Sequence, residues 1–289
     1  MQKTYPIGIR QEKYLTTNLD VIVVDNQHCY AVIALQGAQV LSFIPKKTMP
    51  PTDRLWLSRG NQYTINKAIR GGIPLCFPWF GPHSNPNYPS HGFARNKIWQ
   101  CEDIRLEHDQ SHVLKFKLGH DEETHAVWPY KFVLELTIHC ADTLQLDFKL
   151  TNLDTTRFDF TFAWHSYFNV DLSSTEIYGL QGLSYIDQLT NTTNLQSEHF
   201  LMIEREVDRI YPQTHGEYVI QSKAIEPIKI TTNTESVVVW NPWIDKSKKL
   251  SDVIDEDWKN FVCVENGQVA TAVQTLDVNQ TASYQLNIA

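Results

Sequence analysis

The chain has 289 residues, 42% of them hydrophobic and 11% aromatic, and 25 Lys and Arg stand against 33 Asp and Glu for a formal net charge of −8. This composition is that of a globular protein and not of a disordered or fibrous one. The negative balance supplies no basic field for nucleic acid or an anionic membrane, so an anionic ligand would need locally placed cations.

The length suits one unit, because all-β sandwiches and barrels often run to about 200–250 residues without dividing. Five cysteines (Cys29, Cys76, Cys101, Cys140, Cys263) are odd in number, scattered and never in a C-x-x-C pair. That argues against a disulfide framework or structural zinc and for a reduced, cytosolic setting. Met1-Gln2-Lys3-Thr4 leads into no apolar signal region, and no run approaches the ~18 apolar residues of a membrane span. The sequons at Asn191 and Asn279 then read as chance matches.

Residues 21–24, 29–35 and 39–44 are β-favouring runs separated by Asp25-Asn26-Gln27 and Gln36-Gly37-Ala38, the pattern of an antiparallel meander. Residues 45–51 (PKKTMPP) are a surface turn, and 53–58 resume an extended line. Residues 69–95, IRGGIPLCFPWFGPHSNPNYPSHGFAR, hold two arginines, four glycines, five prolines and two histidines in 27 residues. A buried ladder tolerates neither Gly nor Pro at that density, so the stretch reads as a shaped loop that fixes polar groups.

Residues 98–106 and 113–118 are weaker strand patterns. Within 130–140, Phe132, Leu134, Leu136 and Ile138 share one side; within 144–150, Leu144, Leu146, Phe148 and Leu150 do the same. In 157–165 (RFDFTFAWH), Phe158, Phe160, Phe162 and Trp164 share a face, while Asp159, Thr161, Ala163 and His165 share the other. A small, polar second face that ends in a histidine suits the floor of a groove.

Strand-like pieces follow at 176–182, 217–221, 227–232 and 236–240, with a polar loop at 191–194 between the first two. Only 251–258 carries a helix signature, with Ser251 as N-cap and acids in the first turn. Residues 261–265, 270–276 and 282–288 close the chain as strands. No repeat, low-complexity tract or linker divides it, which predicts one all-β domain over 1–289, a large antiparallel β-sandwich with very few short helices.

The chain has no G-x-G-x-x-G, P-loop, H-E-x-x-H or G-x-S-x-G, and no His/Cys/carboxylate cluster at metal-ligand spacing. Cofactor, nucleotide and metal chemistry are therefore disfavoured, and isolated polar residues remain. Glu265 shares a strand face with Phe261 and Cys263: if that face is inward, its carboxyl is desolvated and drifts towards the range of a working base. If not, it is a strand-end acid that reaches solvent at the Asn266-Gly267 turn. His165 is either a satisfied strand-end histidine or a functional one on the polar face. His91, in Ser90-His91-Gly92-Phe93-Ala94-Arg95, follows a loop that Gly92 can turn tightly. Arg70 and Arg95 bracket the loop and could hold a phosphate, or each could pair with a structural acid. Asp208 by default pairs with Arg209 or forms a turn.

Arg70-Gly71-Gly72-Ile73-Pro74, Phe77-Pro78-Trp79-Phe80-Gly81 and His91-Gly92-Phe93-Ala94-Arg95 resemble the hexose-6-phosphate mutarotases, or glucose-6-phosphate 1-epimerases, of the aldose 1-epimerase (galactose mutarotase-like) superfamily. Trp164-His165-Ser166-Tyr167-Phe168, Val207-Asp208-Arg209-Ile210-Tyr211 and Glu265-Asn266-Gly267 match in the same order, so the resemblance runs from about residue 21 to the end. It implies the family's β-sandwich and a cofactor-independent, cytoplasmic, monomeric isomerase with a hexose 6-phosphate as its small-molecule partner. By the same resemblance Glu265 is the base at the anomeric hydroxyl and His165 the acid at the ring oxygen, from opposite sides of the ring. His91 and Asp208 bind sugar hydroxyls, and Arg70 and Arg95 hold the substrate, with phosphate at Arg95. Ser90 departs from relatives that carry glutamine before the histidine. Two other readings stay open: the same chemistry on unphosphorylated aldoses, and a sugar-binding module without catalysis.

Overall fold

The alternation at 132–140 and 144–152 is realised as Phe132–Cys140 and Leu144–Asn152, paired antiparallel with Leu136 opposite Phe148. In Phe132–Cys140 every second residue is buried, because successive side chains point to opposite faces. These strands lie in a nine-stranded antiparallel sheet. A second sheet of eight strands runs in the order Thr192–Leu195, Ser184–Asp187, Val207–Tyr211, Ser236–Asn241, Phe261–Gln268, Phe162–Trp164, Leu75–Cys76, with Tyr167–Asn169 also paired to Phe261–Gln268. The opening meander forms a four-stranded sheet of Ile9–Lys13, Asp20–Asp25, Cys29–Ala34 and Val40–Pro45. This computed structural model describes residues 5–223, 225–254 and 256–289. The signal-region reading of residues 1–4 lies outside them.

The two large sheets face each other over one aromatic core. Phe148 of the nine-stranded sheet stacks on Phe162 of the other at 4.2 Å between ring centroids. Phe158, Phe160, Phe162 and Trp164 all enter this core, as the alternation of 157–165 predicts. The run is not one strand, however. Phe158–Phe160 pairs with Gln274–Leu276, whereas Phe162–Trp164 joins the eight-stranded sheet. The break falls at Thr161, whose N–H donates to the Pro78 carbonyl and whose hydroxyl accepts from the Phe80 N–H. The 69–95 loop thus claims the hydrogen bonds that would have continued the strand.

Residues 251–258 do not form the expected α-helix. They are turns that lead into the 3-10 helix Asp257–Asn260, preceded by Glu256 at φ +74°, and Asp255 lies outside the described residues. The α-helices described are Glu122–Val127 and Trp243–Ser247. The first is capped by Asp121, which accepts from the Thr124 N–H while the Thr124 hydroxyl accepts from the Asp121 N–H. Threonine at that position replaces the usual Glu or Gln of a capping box, so the signal is easily missed. Residues 53–58 make only the isolated bridges Leu55 to Phe168 and Leu57 to Gly71. Among the described residues no disulfide forms, and no helix is long and apolar enough to cross a membrane.

Phe148 is 1% exposed and touches Tyr284 of its own sheet and Phe162 and Trp164 of the other. Phe148→Ala should therefore lower unfolding free energy by about 3–5 kcal/mol. Leu189→Ala, at a side chain 45% exposed, should stay within about 0.5 kcal/mol. Denaturant titration of the two variants checks the contrast.

Candidate active site

Strand register brings His165 and Glu265 together. Trp164 lies opposite Asn266 and Tyr167 opposite Cys263, so counting inward from both pairs sets His165 directly across from Glu265. Phe162, Trp164, Val262 and Val264 point into the core between the sheets. The alternate residues, His165, Tyr167, Phe261, Cys263 and Glu265, therefore share the opposite face. His165 Nε2 and Glu265 Oε1 are 3.2 Å apart. The strand runs on to Gln268, so Asn266-Gly267 is not a turn and Glu265, at 1% exposure, is no solvent-reaching strand end.

The same register extends the face sideways. Val238 lies opposite Glu265, and one row along, Asp208 lies opposite Trp240, which lies opposite Cys263. Asp208 therefore looks onto the same cleft from two strands away. Arg209 points to the other face, where it donates to Gln196 Oε1 at 3.0 Å and sits 4.3 Å over the Tyr185 ring. The expected Asp208 and Arg209 pair does not form; Asp208 is instead 3.9 Å from Lys246 Nζ.

The 69–95 loop wraps over this face because three glycines let backbone approach backbone. A Cβ on Gly71, Gly72 or Gly92 would lie 2.5, 2.2 or 2.0 Å from the carbonyl oxygens of Trp56, Val40 and Phe77, and all three have positive φ. Arg70 Nε donates to Asp252 at 3.1 Å and Nη1 to the Tyr167 hydroxyl at 3.0 Å. Arg95 Nη2 donates to the Ser90 carbonyl at 2.9 Å, while its Nε is buried without a partner. Among the described residues no carboxylate lies within ion-pair distance of Arg95, so the structural-acid reading holds for Arg70 and not for Arg95. His91, at φ +64°, donates its N–H to the Gly81 carbonyl and accepts the Gly81 N–H at Nδ1. That places the ring proton on Nε2, and the ring meets His165 edge to face at 5.6 Å.

Two adjoining hollows of about 230 and 210 Å³ share Arg70, His91 and His165. The first continues to Glu265, Asp208, Lys246, Gln188 and Trp240, and the second to Ser90, Arg95, Tyr167 and Asp252. All six site residues named from sequence thus line one continuous cleft. Larger depressions of about 480 and 580 Å³ lie elsewhere, but the first is lined by polar groups already bonded to one another and the second is the outer face of the nine-stranded sheet. The carboxylate of Glu135 in the second is already paired with Lys115 and Lys149, and neither depression sets a buried histidine against a buried carboxylate.

Burial dominates the electrostatics. It pushes the Glu265 carboxyl well above its usual range, with Asp208 pushing the same way and Arg95 and Arg70 opposing. It pushes His165 well below its usual value, helped by His91, Arg95 and Arg70. An ion pair would move each group the opposite way, so desolvation outweighs their attraction and the pair rests neutral, sharing one proton. Burial also holds His91 at about 3, fixing it as a neutral donor, and raises Asp208 to about 6.

Tyr167, Trp240, Lys246, Asp252 and Gln188 are cleft residues that the sequence reading did not single out. Alternation onward from His165 leads to Tyr167, which stacks on the His165 ring at 4.7 Å. Lys246 lies on the short helix Trp243–Ser247 and Asp252 in the turns after it, and neither carries a local signal that points to the cleft.

Residues 20–289 match the family model "Aldose 1-epimerase". The chain is 35% identical over 251 residues to a protein of Escherichia coli (strain K12) named "Putative glucose-6-phosphate 1-epimerase", covering 86% of this chain and 82% of that one. It is 32% identical over 261 residues to a protein of the same name from Cenchrus ciliaris, covering 86% and 78%. The crystal structure of a "putative mutarotase (YeaD)" from Salmonella typhimurium superposes with a TM-score of 0.90 at 31% identity, over 99% of this chain and 95% of that one. The galactose mutarotase-like β-sandwich and the isomerase class expected from the sequence are therefore those of this chain, which belongs to the aldose 1-epimerase family.

Proposed function

We propose that this mutarotase interconverts the α and β anomers of a D-hexose 6-phosphate. The observation that carries the reading is the cross-strand contact of 3.2 Å between His165 and Glu265 on the floor of a cleft that has unused arginine donors at one end. Glu265 takes the proton from the anomeric hydroxyl as His165 Nε2 gives one to the ring oxygen. The bond from C1 to the ring oxygen breaks, and C1 becomes an aldehyde. Rotation about C1–C2 and reversal of both transfers close the ring on the other face. Both reacting oxygens are bonded to C1, so an acid and a base side by side meet them together.

Proton count supports the same roles. The resting neutral pair and the working pair, carboxylate with imidazolium, hold the same number of protons and interconvert by one short transfer. His91, through Nε2–H, and Asp208 face the space where sugar hydroxyls would lie. Arg95 is the better phosphate ligand, because Arg70 is already engaged by Asp252 and Tyr167.

Anomer exchange followed by NMR on glucose 6-phosphate should fall by about 10²–10⁴ in Glu265→Gln, the usual size of a general-base contribution. Unchanged exchange in that variant would remove Glu265 from the mechanism. Arg95→Ala should lower kcat/KM for glucose 6-phosphate by about ten-fold or more, the loss of one charge-assisted contact, and leave glucose within about two-fold; equal losses on both sugars would exclude a phosphate role.

The pH profile should be bell-shaped. Its acid limb appears as the pair takes a second proton, at a value lowered for His165, and its alkaline limb as the pair loses its last, at a value raised for Glu265. The Asp208 charge holds the Glu265 proton on, so Asp208→Asn should move the alkaline limb to lower pH. A limb that stays in place, measured by the same exchange assay across pH, would show that Asp208 does not act on the pair.

A further inference from the structure

His165 stands about a hundred residues from Cys263 and Glu265 in the sequence, yet the eight-stranded sheet brings the three together. His165, Cys263 and Glu265 are all buried, and one ligand atom from each lies within 4.8 Å of the others. Cys263 precedes Glu265 by two residues on the same strand face, and His165 comes from the link between the neighbouring strands Phe162–Trp164 and Tyr167–Asn169. The geometry points to a zinc-class divalent cation site here that, when filled, silences the proposed acid–base pair.

The donor set carries the choice of ion. Imidazole, thiolate and carboxylate together suit Zn²⁺ or Co²⁺, whereas Mg²⁺ and Ca²⁺ need a cage of oxygens. Tetrahedral ligands bound at the usual lengths sit about 3.4 Å apart. His165 Nε2 and Glu265 Oε1 already stand at 3.2 Å, and bringing in the sulfur takes a side-chain adjustment on the order of 1 Å. Glu265 Oε2 and His165 Nδ1 are buried without partners, so no competing hydrogen bond holds either side chain away from an ion.

The fourth position would open onto the cleft hollow that His165 and Glu265 line. A cation entering there releases two protons, the Cys263 thiol proton and the one shared by the pair. Two anions then balance its charge, and the buried complex is neutral. The same ion occupies the lone pair of His165 Nε2 and the carboxylate of Glu265, so neither can move a proton. The binding stands on the three donors alone, and the inhibition rests on the proposed roles of His165 and Glu265.

The test uses the full-length chain freed of metal. Zn²⁺ should inhibit anomer exchange of glucose 6-phosphate, excess EDTA should restore it, and Mg²⁺ at the same concentrations should leave it untouched. Co²⁺ should give a thiolate charge-transfer absorption. Cys263→Ala and Cys263→Ser, with folding verified by circular dichroism, should lose that absorption and need at least about ten-fold more Zn²⁺ for the same inhibition. Equal Zn²⁺ sensitivity in wild type and both variants would overturn the site and move the effect to surface pairs such as His139 and Asp147, 2.9 Å apart. Absence of cobalt thiolate absorption would also overturn it and leave the acid–base reading intact. Cobalt binding through Cys263 without loss of exchange would overturn the silencing and the acid–base roles together.

Discussion

The site depends on one register. Phe261–Gln268 and the chain from Phe162 to Asn169 pair so that His165 and Glu265 are direct cross-strand neighbours on one face. A slip of one residue would turn both side chains into the aromatic core and bring Trp164 or Ser166 onto the cleft. That slip is blocked because Phe162, Trp164, Val262 and Val264 are each essentially inaccessible in the core between the sheets. The hydrophobic face thus fixes the polar one, and core packing positions two groups that the core itself excludes.

What the sheet does not supply, the loop does. Gly71, Gly72 and Gly92 let the 69–95 stretch lie against the carbonyls of Trp56, Val40 and Phe77, closer than any Cβ would allow. Arg70, His91 and Arg95 are then held by backbone contacts on either side and not by long flexible stems alone. The two arginines differ in state. Arg70 is neutralised by Asp252 and bridged to Tyr167, which packs against His165. Arg95 keeps a buried, unpartnered Nε in a chain of net charge −8. A local cation without a local anion is the arrangement that an anionic substrate group requires in a protein whose overall field repels it.

The parts legible in the sequence were those written in period two. The strands at 132–140 and 144–152, the core face of 157–165 and the face that Glu265 shares with Phe261 and Cys263 follow from alternation, because one buried face imposes it. The Thr161 break was hidden, since it is caused by hydrogen bonds to Pro78 and Phe80 some eighty residues earlier. The helix expected at 251–258 was drawn from a local cap signal that the tertiary structure overrides. Asp208 was assigned to its sequence neighbour Arg209, but adjacent strand residues face opposite ways, and its actual neighbour Lys246 arrives from the short helix Trp243–Ser247. Side-by-side placement of His165 and Glu265 was likewise invisible, because register between strands a hundred residues apart is a property of the sheet.

Burial gives the pair its character. With Glu265 Oε2 and His165 Nδ1 both lacking partners, no solvent or second hydrogen bond stabilises either charge, and desolvation keeps the pair neutral at rest. A hemiacetal that offers a proton at one oxygen and accepts one at its geminal neighbour satisfies both groups at once, and the cost of separating charge falls only when those oxygens are present. The same buried imidazole and carboxylate, with a thiol two residues from Glu265 on the strand, are also the donors of the proposed zinc-class site. The proposed proton transfers and the proposed cation site therefore draw on one feature, a histidine and a carboxylate buried side by side.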